Sequence, residues 1–475
     1  METPGSRQTN HYGTILYVTK EQSIMDKKQK LLTQNPGRAL FFFALPMILG
    51  NLFQQFYNMA DSVIVGRYVG VQALAAVGAS YSFTNVFIMI AIGGGIGASV
   101  LTSQYLGAGK YREMKTSIYT FLLAFALLSA LLAGFGFRYN PAVLKALDTP
   151  GDIYGDAVLY LQIYFLGMPF VFMYNVLAAN FNAMGKSGIP LGLLVFSSVL
   201  NVILDLVMVL RFGLGVAGVA IATVIAQGVS AVISFSILMY QLRSYRTDRA
   251  PSLFDSHMLF AGVKIAIPSI IQQSIVSIGM LLTQSSVNRF GSDALAGYSA
   301  GMRLESIGIV PMIATGNAVS TFTAQNLGAG QRDRVKEGYH VAYRIIIGFA
   351  LFLCVISQVF YRPVLSLFMD TASSPVAFGT GAAYLRFIGF FLCLIGFKAI
   401  TDGVLRGAGD VNVYMAANLV NLTIRVTIAR FCSPLFGIQV IWYAIPLGWL
   451  ANYLISFAWY RTGRWQQKQL VESGG

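Results

Sequence analysis

Two carboxylates stand where carboxylates are expensive. Asp61 and Asp205 each sit inside a long apolar stretch of the sequence. If those stretches cross a bilayer, each acid costs roughly 3 kcal/mol near its centre. Asn51, Gln54, Gln55, Asn58, Asp61 and Ser62 follow one another at steps close to three and four, which is one face of a helix. Asn201 and Asp205 are four apart and share a face of another helix. Thr223 lies in the apolar stretch after that. Should Asp61, Asn201, Asp205 and Thr223 converge, they offer two carboxylates, an amide oxygen and a hydroxyl, which are hard ligands for a hard cation. Two buried carboxylates close together cannot both carry charge easily, so one keeps a proton that Na⁺ can displace. The chemistry is therefore exchange of H⁺ and/or Na⁺ at a carboxylate, with no covalent change to anything transported. A competing local role for Asp205 is to cap or pair near a helix end.

The elements that position these residues follow from composition. Of 475 residues, 56% are apolar and 11% charged, against roughly 25% charged in a soluble domain, and the mean hydropathy is +0.64. Such a chain needs lipid as solvent, which excludes a soluble enzyme, a disordered chain and a nucleic-acid binder, even at a net charge of +14. A helix crosses a bilayer in about 20 apolar residues. Spans are expected near 39–68, 76–106, 116–138, 154–184, 188–210, 215–241, 258–290, 296–327, 339–361, 377–405, 411–433 and 437–460. Residues 1–35 form a polar N-terminal tail, 36–241 a first lobe, 242–257 a linker, 258–461 a second lobe and 462–475 a C-terminal tail. No signal peptide is expected in 1–35, and the natural-looking start at Met25 makes 1–24 dispensable.

Residues 73–115 align without gaps on 294–336, with 15 of 43 positions identical. The match includes Gln104-x-Leu106-Gly107-Ala108-Gly109 and Gln325-x-Leu327-Gly328-Ala329-Gly330. The repeat is six spans long, so both halves enter from one side and are related by a pseudo-two-fold axis along the membrane normal. The expected fold is an all-α membrane protein of twelve transmembrane helices in two such six-helix bundles. Lys and Arg number 22 on the side of both termini and seven on the other, which places the termini in the cytoplasm.

The second half does not repeat the acidic set. Asp61, Asn201, Asp205 and Thr223 fall opposite Thr283, Arg425, Ala429 and Leu447. With Gln54 and Asn58 of the first half, Gln272, Gln284, Arg303, Glu305 and Arg425 are candidates to line a cavity between the halves. Internal ion pairing is the plainer reading of the second-half charges: Arg303 or Arg425 with Glu305 or Asp402. Pro46 removes a backbone hydrogen bond from the first span and makes it a candidate hinge. Gly185-Lys186-Ser187 lacks the upstream glycine of a phosphate loop. Gly213-x-Gly215-x-x-Gly218 lacks the strand that a dinucleotide turn needs. No span carries a Ser/His/Asp set or a His-rich metal motif, and three cysteines in apolar segments make no disulfide framework, so neither an enzyme nor a bound cofactor is expected.

Several motifs together resemble the multidrug and toxic compound extrusion (MATE) family over about residues 30–461. They are Ala44-Leu45-Pro46, Tyr57-Asn58-x-x-Asp61-x-x-x-x-Gly66-Arg67, the two Q-x-L-G-A-G segments, Asn201-x-x-x-Asp205 and Leu405-Arg406-Gly407-Ala408-Gly409-Asp410. The resemblance is greatest to the DinF-like branch, in which residues matching Asp61, Asn201, Asp205 and Thr223 form the cation and proton site. The glutamate that the NorM-like branch carries in its seventh span has no counterpart around Val276. The resemblance implies a V-shaped, monomeric transporter in the bacterial inner membrane. Cation influx would drive export of small amphipathic, often cationic, organic compounds by alternating access. The alternative is a flippase for a lipid-linked envelope precursor, which calls for a basic central cavity.

Overall fold

The computed structural model describes residues 29–366, 374–468 and 470–471. The expected dispensable segment 1–24 and the start at Met25 lie outside the described residues. In lipid an apolar run must satisfy its own backbone, and a helix does so within one segment. Among the described residues there is no strand. Eleven helices among them are long and apolar enough to span a bilayer, and a bent pair makes a twelfth.

We number the spans α1 (Pro36–Ile64), α2 (Val71–Gly107), α3 (Tyr111–Ala146), α4 (Gly151–Ala183), α5 (Gly188–Leu206) and α6 (Gly215–Arg243) in the first lobe. The second lobe holds α7 (Ser256–Val287), α8 (Ser292–Gly308 with Val310–Gly328), α9 (Arg332–Val359), α10 (Pro375–Gly389 with Leu392–Gly407), α11 (Val411–Thr427) and α12 (Gln439–Arg461). Local chemistry sets the ends. Asn35 caps α1, its side chain accepting from Gly37 N at 3.0 Å ahead of Pro36 in the first turn. Asp255 caps α7 through Met258 N at 3.0 Å. Gly109 and Gly330 end α2 and α8 at φ of 69° and 72°, a left-handed turn that favours glycine. The Gln-x-Leu-Gly-Ala-Gly repeat is thus a helix stop written twice.

Two spans are broken where the sequence showed continuous apolar runs. α8 is interrupted at Ile309, just before Pro311, whose missing N–H cannot continue the ladder. α10 bends by 50° between its two segments. The linker between the lobes is 244–255, shorter at both ends than expected because α6 runs on to Arg243 and α7 starts at Ser256.

Each lobe reaches into the other on the face that holds both chain ends. The first part of α1, with Leu40, Phe43 and Ile48, packs in one apolar core with Met312, Phe322 and Tyr339 of the second lobe. The first part of α7 does the converse: a Cβ at Gly97 of α2 would lie 2.5 Å from the Gly262 carbonyl, and one at Gly262 would lie 2.0 Å from the Phe121 ring. Small residues at such crossings let backbones approach where lipid offers no hydrophobic drive. Pro46 and its repeat mate Pro268 both lie inside their helices.

The repeated motifs themselves form a reciprocal clasp. Gln104 Nε2 of α2 donates to the Gly407 carbonyl of α10 at 3.1 Å. Gln325 Nε2 of α8 donates to the Ala183 carbonyl of α4 at 2.6 Å. These residues are repeat mates, and each bond crosses between lobes. The tails that composition showed as polar are tied onto this clasp. Leu31 is buried, and its carbonyl accepts from Asn326 and Arg334. Leu470 N donates to Gln104 Oε1 at 3.0 Å, and Lys468 pairs with Asp410 at 2.6 Å. Side chains added at Gly185 and Gly409 would meet Leu31 and Leu470 respectively. We propose that this tail-bearing face is cytoplasmic, on the Lys and Arg excess. A cysteine placed at the exposed Ser252 is then expected to resist a membrane-impermeant thiol reagent in intact cells and to react once they are opened; ready labelling in intact cells inverts the orientation.

Candidate functional site

α1, α5 and α6 bring the first-lobe residues together. Helical spacing puts Tyr57 and Asp61 on one face of α1 and Asn201 and Asp205 on one face of α5. Tyr57 Oη lies 2.6 Å from the Asn201 amide. The amide has two orientations. In one, its oxygen accepts from Tyr57 and its nitrogen donates to Thr223 Oγ1 at 3.4 Å. In the other, its nitrogen donates to Asp205 Oδ2 at 3.2 Å and its oxygen accepts from Thr223 N at 3.1 Å. The second leaves fewer polar groups unmatched and ties the amide to the acid. Asp205 and Asn201 are fully buried. The Asp61 and Asp205 carboxyls are neighbours, with Tyr160 near both. Two neighbouring carboxyls out of water do not both carry charge easily.

Oδ1 of both Asp61 and Asp205 is buried with no hydrogen-bond partner. An unmatched carboxylate oxygen out of water carries a desolvation cost of roughly 1–3 kcal/mol or more, which a proton or a bound cation relieves. A site of two acids with an amide and a hydroxyl beside them can therefore hold a proton, or give it up to a hard cation with oxygen ligands already in place. Among the described residues no three or more His, Cys, Asp and Glu come together as a metal cluster, so any cation here leans on neutral oxygens.

The other candidates are dispersed. Gln54 lines a cavity of about 380 Å³ between the lobes and donates to Asn58 at 2.9 Å. Gln272 accepts from Tyr414 at 3.3 Å. Gln284 and Arg303 are exposed, and among the described residues neither forms an ion pair with an acid. Glu305 accepts from the Tyr384 hydroxyl, with Arg425 in its vicinity. Arg425 Nε is buried without a partner, and no ion pair joins the two among the described residues. The expected pairings of Arg303 or Arg425 with Glu305 or Asp402 therefore do not form. Lys398 pairs with Asp402 instead, at 3.1 Å, because the two are four apart on one helix. Ser456 donates to the same carboxylate at 2.7 Å, so this acid pins α10 to α12 and is fully occupied.

Sequence reading missed two residues. Tyr57 was quoted only within a motif, although its place one turn before Asp61 was a usable signal. Arg406 stands in the sequence only as part of the Leu405–Asp410 motif, yet it lines the cavity between the lobes together with Asn182, Asn317 and Ser320. The repeat held that signal, since Arg406 is the mate of Asn182.

The family model described as MatE matches residues 46–207 and 268–430, one match per lobe. The "Probable multidrug resistance protein YpnP" of Bacillus subtilis is 30% identical over 440 residues, covering 92% of this chain and 97% of the relative. The "FAD transporter" of Shewanella oneidensis is 26% identical over 458 residues, covering 92% and 96%. A solved structure described as the outward-facing conformation of a multidrug resistance MATE family transporter of the MOP superfamily has the same fold. Its TM-score is 0.84 at 23% identity, covering 94% of this chain and 99% of that one.

Proposed function

Because the chain belongs to the MatE family of membrane transporters, we propose that it is an antiporter in which H⁺ and/or Na⁺ entering through the Asp61–Asp205 site drives export of amphipathic, often cationic, organic compounds. The chain is a multi-pass multidrug efflux transporter acting on small organic molecules, not an enzyme. The coupling ion, the substrate class, the monomeric state, the bacterial inner membrane and the DinF-like branch are parts of this proposal.

The observation that carries it is the carboxyl pair with one buried, unmatched oxygen on each acid, a pair that the matched second-lobe positions do not repeat. The flippase reading has less support, because among the described residues the cavity between the lobes holds a single guanidinium rather than a basic cluster. Inverted vesicles test the proposal. Ethidium uptake should be driven by an imposed proton or sodium gradient and collapse when that gradient is dissipated. Uptake indifferent to both gradients rules the antiporter out, and rescue of an envelope defect without dye transport favours the flippase.

The hinge belongs to the same proposal. α1 packs against the second lobe before Pro46 and carries Asp61 against the first lobe after it. A bend at Pro46 would move one anchor relative to the other, linking occupancy of the acid pair to the shape of the cavity. Pro46→Ala restores the missing hydrogen bond and is expected to slow turnover severalfold, read as the rate of ethidium uptake at saturating dye. Transport at the normal rate removes the hinge from the mechanism.

A further inference from the structure

Among the described residues Arg406 is the one charged side chain lining the cavity between the lobes. It sits in the last turn of α10, yet its hydrogen bonds do not go to that turn. Nη2 donates to Asn317 Oδ1 at 2.7 Å and to the Gly316 carbonyl at 3.5 Å, and Nε donates to Ser320 Oγ at 3.3 Å. All three partners are neutral and all belong to α8. The nearest acids along the chain are taken: Asp402 by Lys398 and Ser456, Asp410 by Lys468 and Trp459. Among the described residues Arg406 makes no ion pair. A guanidinium stays protonated, so the cavity carries a permanent, uncompensated positive charge.

The other lobe shows that the scaffold does not need it. Asn182 is the repeat mate of Arg406, lines the same cavity, and keeps a buried Oδ1 without a hydrogen-bond partner. A neutral amide can thus hold this place at the end of a span. Burying charge without a counter-ion is costly, and a tie between α10 and α8 could be made by a glutamine. Apolar walls from Met47, Ile92, Ile96 and Leu191 face the same space. Asp61 and Asp205 do not line it.

We propose that this cavity seats the carboxylate of an amphipathic substrate against Arg406, with the Asn182 oxygen accepting from a neighbouring N–H or O–H. The preferred cargo is then a zwitterion or an anion with an apolar body, rather than a plain lipophilic cation. This rests on the efflux reading and narrows its substrate class.

Two dyes of one skeleton test it: rhodamine 110, which bears a free carboxylate, and rhodamine 123, its methyl ester. Fluorescence anisotropy on the purified full chain gives both affinities. Arg406→Gln is expected to weaken rhodamine 110 about tenfold or more, the scale of a lost hydrogen bond to a charged group, and rhodamine 123 by less than about twofold. Asn317→Asp keeps the shape and places a carboxylate on the guanidinium, so it should cause the same selective loss even if Arg406→Gln folds poorly. Arg406→Lys should retain most of the carboxylate preference. Equal changes for both dyes, or none for either, overturn the proposal. Wild-type protein that binds the ester but not the acid overturns the subsite and leaves the efflux reading standing. Binding of neither dye overturns the subsite as well, while the efflux reading stands or falls on ethidium uptake.

Discussion

Asp61→Asn and Asp205→Asn are each expected to abolish uphill export while the protein still inserts and still binds dye. The amide keeps the volume of the acid and removes its exchangeable proton. One pH unit is worth about 1.36 kcal/mol per proton moved. With no membrane potential, one-for-one exchange therefore sustains up to about a tenfold accumulation of a neutral dye per unit. A transporter that cannot exchange the proton gains none of this, so the accumulation ratio in vesicles should fall to one. Asn201→Ala and Thr223→Ala each remove a single neutral ligand and should lower the ratio without abolishing it. Glu305→Gln should leave cation dependence intact, since an amide oxygen still accepts from the Tyr384 hydroxyl. Accumulation that survives both Asp variants and is lost in Glu305→Gln would move the coupling site to the second lobe.

The next largest effect is expected from one methyl group at the clasp. A Cβ at Gly107 would lie 1.9 Å from the Gln325 carbonyl oxygen and 2.9 Å from its Cα. One at Gly328 would lie 2.1 Å from the Gln104 carbonyl oxygen and 3.0 Å from its Cα. These obstacles are backbone, so no side chain can rotate away, and the lobes must part. Overpacking of this kind costs about 1–3 kcal/mol, and here it also strains the two inter-lobe hydrogen bonds. Gly107→Ala and Gly328→Ala should each lower the thermal midpoint and cut transport at least about tenfold. The two should do so to a similar degree, since the sites are repeat mates. Gly134→Ala is the control: it lies within α3 with nothing inside 4 Å of its added methyl. Variants at 107 and 328 that match it in stability and transport would show that close contact at this face is not required.

The spans were legible because lipid imposes one rule on every residue of a segment, so a window average finds each of them, although α3 runs eight residues past its expected end and α9 starts seven residues early, where polar residues extend the helices beyond the apolar run. Breaks were not, because a 50° bend in α10 changes direction without changing hydropathy. Among polar residues, legibility depended on whether the partner lay on the same helix. Lys398–Asp402 and Tyr57–Asp61 are four apart and readable in principle. The meeting of Asp61 with Asp205 rested on two separate helical faces turning toward each other, which insertion cost suggests but does not fix. Arg406 was the hardest. Its position near the end of α10 is visible in the sequence, while its aim across to α8 depends on how two helices from one lobe cross. The Gln-x-Leu-Gly-Ala-Gly repeat was read as symmetry, and its role as a contact between the lobes emerged only when both copies stood together.

The leucines that lean on Gly185 and Gly409 bear on how such a molecule arose. If one six-span half was copied to make two, each copy brought its own flanking segments. The residues ahead of α1 then correspond to the linker ahead of α7, and the residues behind α12 correspond to the linker behind α6. Leu31 comes from a leading flank and Leu470 from a trailing one. They cannot be duplicates of each other, yet they rest against duplicated turns. The gene's doubling supplied two equivalent seats, and unrelated ends of the chain came to occupy them independently.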